Sequence, residues 1–395
     1  MHTEDRQPHI DLLSGDFYGD ARAAYRWMRA HSPVYFDPSC GLWAVATYDG
    51  VREVERDAGT FSSACGSRPE SGPLPWMMDM DPPDHHKRRK IVSRGFTPAR
   101  VRANSAHVEQ LCEHLIDGIC ERGECDLVAD LAAPLPMIVI GDMLGIPPED
   151  RGDLLRWSDD MLASISGDPE RIPAAATAFT EYQAYAMQMI ADRREQPRDD
   201  LVSVLVHAEV DGDRLEDHEL VFESLLLLLG GDETTRHVIT GGTEQLLRNP
   251  GEKQRLLDEP GLLPTGVEEM LRWVSPIKNM NRTVTHDVVL EGQKLSEGDK
   301  ILVLYESANF DDTRFDEPDR FDVGRYPNDH LAFGFGAHFC LGASLARLEV
   351  TTMVGRLLRR LPDIDFASAS PAPRFMDTIT SLPIRYAPSS PEPSD

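Results

Sequence analysis

Apolar residues recur at three- and four-residue spacing through most of the chain, which predicts amphipathic helices over residues 21–30, 48–56, 85–93, 101–122, 135–144 and 174–194. Two-residue alternation is sparse. It predicts strands at 34–36, 42–46, 281–285, 287–290 and 300–304, the last two separated by a Gly-containing turn. The pattern is that of a mainly α chain with a minor β portion contributed from both ends.

One helix stands out. It starts at Asp217, with Glu219 in its first turn, and stops at Asn249-Pro250. About 32 residues at 1.5 Å each give ~48 Å, while a globule of this length has a radius of gyration near ~21 Å, so this helix must cross the interior. Its middle nevertheless reads Gly230-Gly231-Asp232-Glu233-Thr234-Thr235. Each glycine costs about 1 kcal/mol relative to alanine. Charge and helix-weakening residues at the centre of a buried helix call for a functional reason.

A second anomaly is Phe333-Gly-Phe-Gly-Ala-His-Phe-Cys-Leu-Gly342, a Gly-rich turn that opens a helical pattern over 341–361. A helix N-terminus and turn N–H groups favour an anion, here a thiolate at Cys340. This segment resembles the haem-binding signature of the cytochrome P450 family through Phe333, Gly336, His338, Cys340, Gly342 and Ala346. The resemblance implies that fold, a triangular prism with a long central helix over haem b. It also implies that Cys340 is the axial iron ligand, with His338 beside a haem propionate. Thiolate donation favours O–O cleavage.

Further segments resemble the same family. Glu269-Met-Leu-Arg272 matches its ExxR motif, and Pro318-Asp-Arg320-Phe321 resembles the segment supplying the third member of a structural Glu/Arg/Arg cluster. Without Cys340, a Glu–Arg pair three apart would read as an exposed ion pair worth roughly 0.2–0.5 kcal/mol. The segment Asp81-Pro-Pro-Asp-His-His-Lys-Arg-Arg-Lys90 resembles the one that brings His85 and Arg89, four apart on one helix face, to the propionates, with Arg282 joining from a strand. By the same resemblance Glu233 and Thr234 are the catalytic acid and alcohol on the oxygen side. Gly230 and Gly231 leave room beside them.

Composition narrows the partners. The 395 residues carry 40 Lys plus Arg against 67 Asp plus Glu, a net charge of −27, which argues against nucleic acid binding. On so acidic a chain the basic run Lys87, Arg88 and Lys90 is a candidate dock for an acidic ferredoxin. No GxGxxG occurs, so electrons are expected from NAD(P)H through an external ferredoxin reductase and ferredoxin. The longest aliphatic run, Leu225 to Leu229, is far short of the ~20 residues of a membrane span, and the polar N-terminus lacks the apolar stretch of a secretory signal, so a cytoplasmic protein is expected. A single domain is expected over 1–395, with disordered tails at 1–9 and 387–395.

Stretches at 24–30, 123–145, 230–248, 268–280 and 306–310 are similar to actinobacterial steroid side-chain hydroxylases, which oxidise the terminal methyl carbon of cholesterol or cholest-4-en-3-one. Candidate substrate contacts are Trp76, Met77, Met78, Leu226, Leu229, Gly230, Val274, Met280 and Ile379, whose apolar, methionine-rich character suits a hydrocarbon. The residues also admit a tailoring hydroxylase of a polyketide, macrolide, terpenoid or fatty acid, a peroxide-driven enzyme, or a haem-thiolate sensor without turnover. Ser166 to Glu170, where the substrate entrance is expected, carries no sterol-specific feature.

Overall fold

The 32-residue helix Asp217–Arg248 runs through the middle of the molecule, and several other helices pack around it. Its N-terminus is fixed one residue earlier than the sequence implies. Glu216 is the cap, and the Glu216 N–H donates to Glu219 Oε2 at 2.8 Å in a capping box. The computed structural model describes residues 10–69, 71–163, 170–210, 212–368, 374–375 and 378–391. The expected tails at 1–9 and 392–395, and all but Glu170 of the entrance segment, lie outside them. Residues 387–391 depart from the expected tail: Ala387 N–H donates to Asp363 at 2.8 Å and Ser389 N–H to the Cys120 carbonyl at 2.9 Å.

Helices Pro134–Leu144, Ile172–Glu195, Leu263–Val274 and Ala343–Arg360 pack on the central helix and bury the main apolar core with it. The helix predicted over 101–122 is two, Pro98–Ala103 and Ser105–Asp117. They meet at Asn104, whose side-chain amide donates to the Arg100 carbonyl in place of a clean continuation.

The β portion is a five-stranded sheet in the order Val34–Asp37, Leu42–Val45, Lys300–Leu304, Asn279–Val284, Phe61–Ser62. Only Leu42–Val45 and Lys300–Leu304 run parallel. The period of two is visible in its burial. Ile301 and Val303 enter the core beneath helix Tyr48–Arg56, while Leu302 and Leu304 enter the one beneath helix Arg22–His31. Covered on both faces, this strand reads as an unbroken apolar run. The alternation at 287–290 pairs with a short partner, Gln293–Leu295, in a separate hairpin. Among the described residues no helix is long and apolar enough to cross a membrane.

Candidate active site

The turn before helix Ala343–Arg360 closes when the Cys340 N–H donates to the Phe333 carbonyl at 2.8 Å. Gly336 has φ +70°, and a Cβ there would stand 2.3 Å from the Glu55 carbonyl oxygen, so only glycine fits. Burial pushes the Cys340 thiol up, against the N–H groups of Gly342 and Ala343 and the charges of Arg89 and Arg347. The half-buried cysteine lines a cavity. A cation at that position would convert it to the thiolate that these donors already favour.

The cavity, of about 270 Å³, separates the Cys340 turn from the central helix. Phe333, His338, Cys340, Gly342 and Ala346 line it from the turn and the helix that follows; Leu226, Gly230, Gly231 and Thr234 line it from the central helix; His85, Arg89, Arg282, Met77, Met78 and Met280 complete the predicted residues that reach it. Sequence reasoning missed Ile277, Leu345 and the buried Glu349, which also line it. Their apolar or helical patterns are those of ordinary core, so no signal marked them.

Several predicted contacts lie elsewhere. On the central helix, Leu226, Gly230 and Thr234 and the adjacent row Leu227, Gly231 and Thr235 face the cavity, whereas Leu229 falls on another row and packs in the core. Trp76 packs edge-on against Phe222 at 6.5 Å. Val274 fills the notch at Gly241, where a Cβ would come within 2.8 Å of it. Val274 and Ile379 line a separate cavity of about 330 Å³, together with His237. Gly336 shapes the turn without lining the cavity.

Four basic side chains converge on one rim. The His85 and His338 rings lie 4.2 Å apart, and His85 Nδ1 and Nε2 and His338 Nε2 are buried without a partner. Burial, then repulsion from Arg89 and His86, depresses His85 to about 4. Burial, then Arg282, His85 and Arg89, depresses His338 to about 3. Arg282 donates to Glu55 at 2.6 Å, and Arg89 donates to the Phe339 carbonyl. Orphaned imidazole nitrogens crowded by guanidinium groups are what an anionic ligand would satisfy. A porphyrin dicarboxylate with iron fits this set: carboxylates at the basic rim, an apolar slot for the ring and sulfur from Cys340 for the metal.

On the opposite wall Thr234 Oγ1 donates to the Gly230 carbonyl at 2.9 Å, the back-bond of an ordinary helical threonine. The two glycines differ. A Cβ at Gly230 would meet nothing within 4 Å, whereas at Gly231 it would press on Ile140 at 2.9 Å. Gly230 keeps space open and Gly231 permits helix packing. Glu233 does not line the cavity. Its carboxylate lies 3.5 Å from His237 and 3.6 Å from Arg236. Burial would raise its pKa, but His237 and Arg236 outweigh burial and hold it below the usual carboxylate range. Asp232 is fully buried, accepts from Ser158 Oγ at 3.2 Å, and is raised to about 6, chiefly by burial.

Behind the turn, Glu269 and Arg272 are fully buried and joined by two hydrogen bonds of 2.8 Å. The expected third member, Arg320, is not there: its side chain is exposed and pairs with Glu317. Arg325 takes the place, with Nε 3.0 Å from Glu269 Oε2 and its other nitrogens on the carbonyls of Asp316, Glu317 and Arg320. Both arginines sit in one irregular loop, where no periodicity tells them apart. The basic run also needs correction. Arg88 is buried against Glu219 and Glu223, which leaves Lys87 and Lys90 exposed on that helix.

The sequence profile of the cytochrome P450 family matches residues 158–362. A steroid C26-monooxygenase of Mycobacterium tuberculosis is 53% identical over 97% of this chain and 98% of that protein. A methyl-branched lipid omega-hydroxylase of Mycobacterium bovis is 39% identical over 96% of this chain and 95% of its own length. Among solved structures, CYP109E1 of Bacillus megaterium in complex with testosterone superposes with a TM-score of 0.84 at 35% identity, covering 93% of this chain and 99% of that one. Its substrate-free form gives 0.87 at 33% identity, covering 94% and 99%.

Proposed function

The chain belongs to the cytochrome P450 family, and from that premise we propose that it hydroxylates the terminal methyl carbon of a steroid side chain, with cholest-4-en-3-one as the model substrate. The observation that carries the chemistry is the single cavity with Cys340 on one wall and Gly230 and Thr234 on the other. The names of the two mycobacterial relatives support the site of attack, since a steroid C26 and the omega carbon of a methyl-branched lipid are both ends of branched alkyl chains. The higher identity to the steroid enzyme supports the substrate class.

Haem b, held through Cys340, would supply dioxygen activation, with thiolate donation favouring O–O cleavage. His85, Arg89 and His338 would bind its carboxylates, with Arg282 behind them braced by Glu55. Met77, Met78, Leu226 and Met280 would hold the hydrocarbon and exclude water. Thr234 would turn its hydroxyl from the Gly230 carbonyl toward the reacting oxygen. Glu233, ionised beside His237, would accept a proton from solvent and hand it on to replace the one that Thr234 gives up. A ferredoxin, reduced from NAD(P)H by its reductase, would supply electrons on the proximal side, where Lys87 and Lys90 offer positive charge.

Titration of the purified haem protein with cholest-4-en-3-one, a methyl-branched fatty acid and a macrolide separates the readings. The steroid should drive the low-spin to high-spin Soret shift at the lowest concentration, and turnover with a ferredoxin system should yield the terminal alcohol. A shift by the fatty acid or macrolide alone would replace the substrate class. Oxygen uptake without product would leave a haem-thiolate protein that does not hydroxylate.

A further inference from the structure

The substrate-side wall is built on a short 3-10 turn, Met77–Asp79, whose first N–H groups have no partner inside the turn. Asp79 braces the segment from within, accepting the Ser67 and Leu74 N–H groups at 2.8 Å each. The Met77 N–H is taken from outside. It donates at 2.7 Å to Glu223 Oε1 on the central helix, one turn before the cavity-lining Leu226 and Leu227. The same carboxylate oxygen receives Arg88 Nη1 at 3.3 Å, and Arg88 also pairs with Glu219, four residues earlier on that helix. Thus Glu219 and Glu223 share one helix face and grip both ends of segment 77–88. Phe222 adds the edge contact to Trp76.

Glu223 is fully buried, and its Oε2 has no partner. A carboxylate so placed is expensive, since burial outweighs the help from Arg88 and the Met77 N–H. An apolar residue would serve packing better, so stability alone does not account for it. We propose that Glu223 is a positioning residue for substrate selection: through the Met77 N–H it fixes the Trp76–Met78 segment against the central helix and so sets the depth of the apolar cavity, with Arg88 balancing its charge. The proposal rests on the reading of that cavity as the substrate site.

The test uses the intact haem protein. Hydrogen–deuterium exchange of a peptide spanning residues 74–80, without substrate, should accelerate in the order wild type, Glu223→Gln, Glu223→Ala. The alanine variant should exchange roughly tenfold or more faster, as expected for loss of a charge-assisted hydrogen bond. Glu219→Gln, which touches Arg88 but not the loop, should leave this peptide unchanged. The Glu223 variants should keep the ferrous–CO spectrum while the ratio of apparent Kd for a C16 fatty acid to that for cholest-4-en-3-one falls. Unchanged exchange at 74–80, or equal acceleration by Glu219→Gln, would overturn the proposal. Were the alanine variant not to fold, the glutamine variant carries the same comparison. A steroid that fails to bind wild type while exchange still responds would refute the substrate class and leave the positioning role standing. Altered exchange with an unchanged Kd ratio would refute the role in selection.

Discussion

At the scale of single residues, the side chains that carry a motif and those that share only its surroundings part company in the loop after Asn309. Arg325 donates to the fully buried Glu269 and ties it to three carbonyls, whereas Arg320 makes an exposed pair. Glu269 keeps Arg272 when Arg325 is removed, so the loss is that of a hydrogen bond to a charged group, roughly 1.5–3 kcal/mol, together with the donors to three carbonyls. Arg325→Ala should therefore lower the denaturation midpoint sharply and reduce haem retention; Arg320→Ala should leave both unchanged. Urea titration of the two variants with Soret detection checks this, and equal effects would remove Arg325 from the cluster. Cys340 was legible in the sequence because a thiol between glycines at a helix start is an unusual local environment. Arg325 was not, because its partner lies more than fifty residues away and the loop that holds it has no period. Glu233 shows the same limit: its place on the central helix was readable, but its turn toward His237 depends on neighbours that the motif does not contain.

At the scale of elements, helix Leu263–Val274 is fastened to the Cys340 turn and the helix after it by more than its buried pair. Glu268 accepts from Arg347 Nε at 2.6 Å and Nη2 at 2.8 Å, and His330 Nε2 lies 3.1 Å away. The Arg347 guanidinium in turn sits over the Phe333 ring, 4.5 Å from its centroid. Burial works against the Glu268 charge, but the hydrogen bonds from Arg347 and His330 outweigh it and depress the carboxyl to about 2. A depressed folded-state pKa means stability that is present above the unfolded value, near 4.5, and is lost as pH falls through 2. Glu268→Gln should lower stability at neutral pH and flatten the fall between pH about 4.5 and about 2, measured by urea unfolding across that range. An acid limb as steep as that of wild type would show that the clamp does not hold these elements together. Most helices and strands were legible because one face of each is apolar at the proper period. The break at Asn104 and the hairpin strand Gln293–Leu295 were hidden, since a back-bonding amide and a three-residue strand leave almost no periodic trace.

At the scale of the whole molecule, a net charge of −27 repels an acidic electron donor except where positive charge is gathered locally. In the proposed mode of docking the helix Asp84–Val92 supplies such a place, but not in the way its composition implies. Arg88 is turned inward to the central helix, and Lys87 stands 3.6 Å from Asp213. The exposed charges are thus Lys87 and Lys90, on the helix that also presents His85 and Arg89 to the cavity. Docking there would bring a donor beside the basic rim of the cavity. Reversing both lysines to glutamate should raise the apparent KM for ferredoxin several-fold at low salt and leave the ferrous–CO spectrum and the steroid-induced Soret shift as they are. Because exposed charges are screened beyond a Debye length of ~8 Å at physiological ionic strength, the difference between variant and wild type should shrink as salt is added. A salt-independent defect would point to misfolding of the helix, and an unchanged KM would move the docking surface elsewhere on the proximal face.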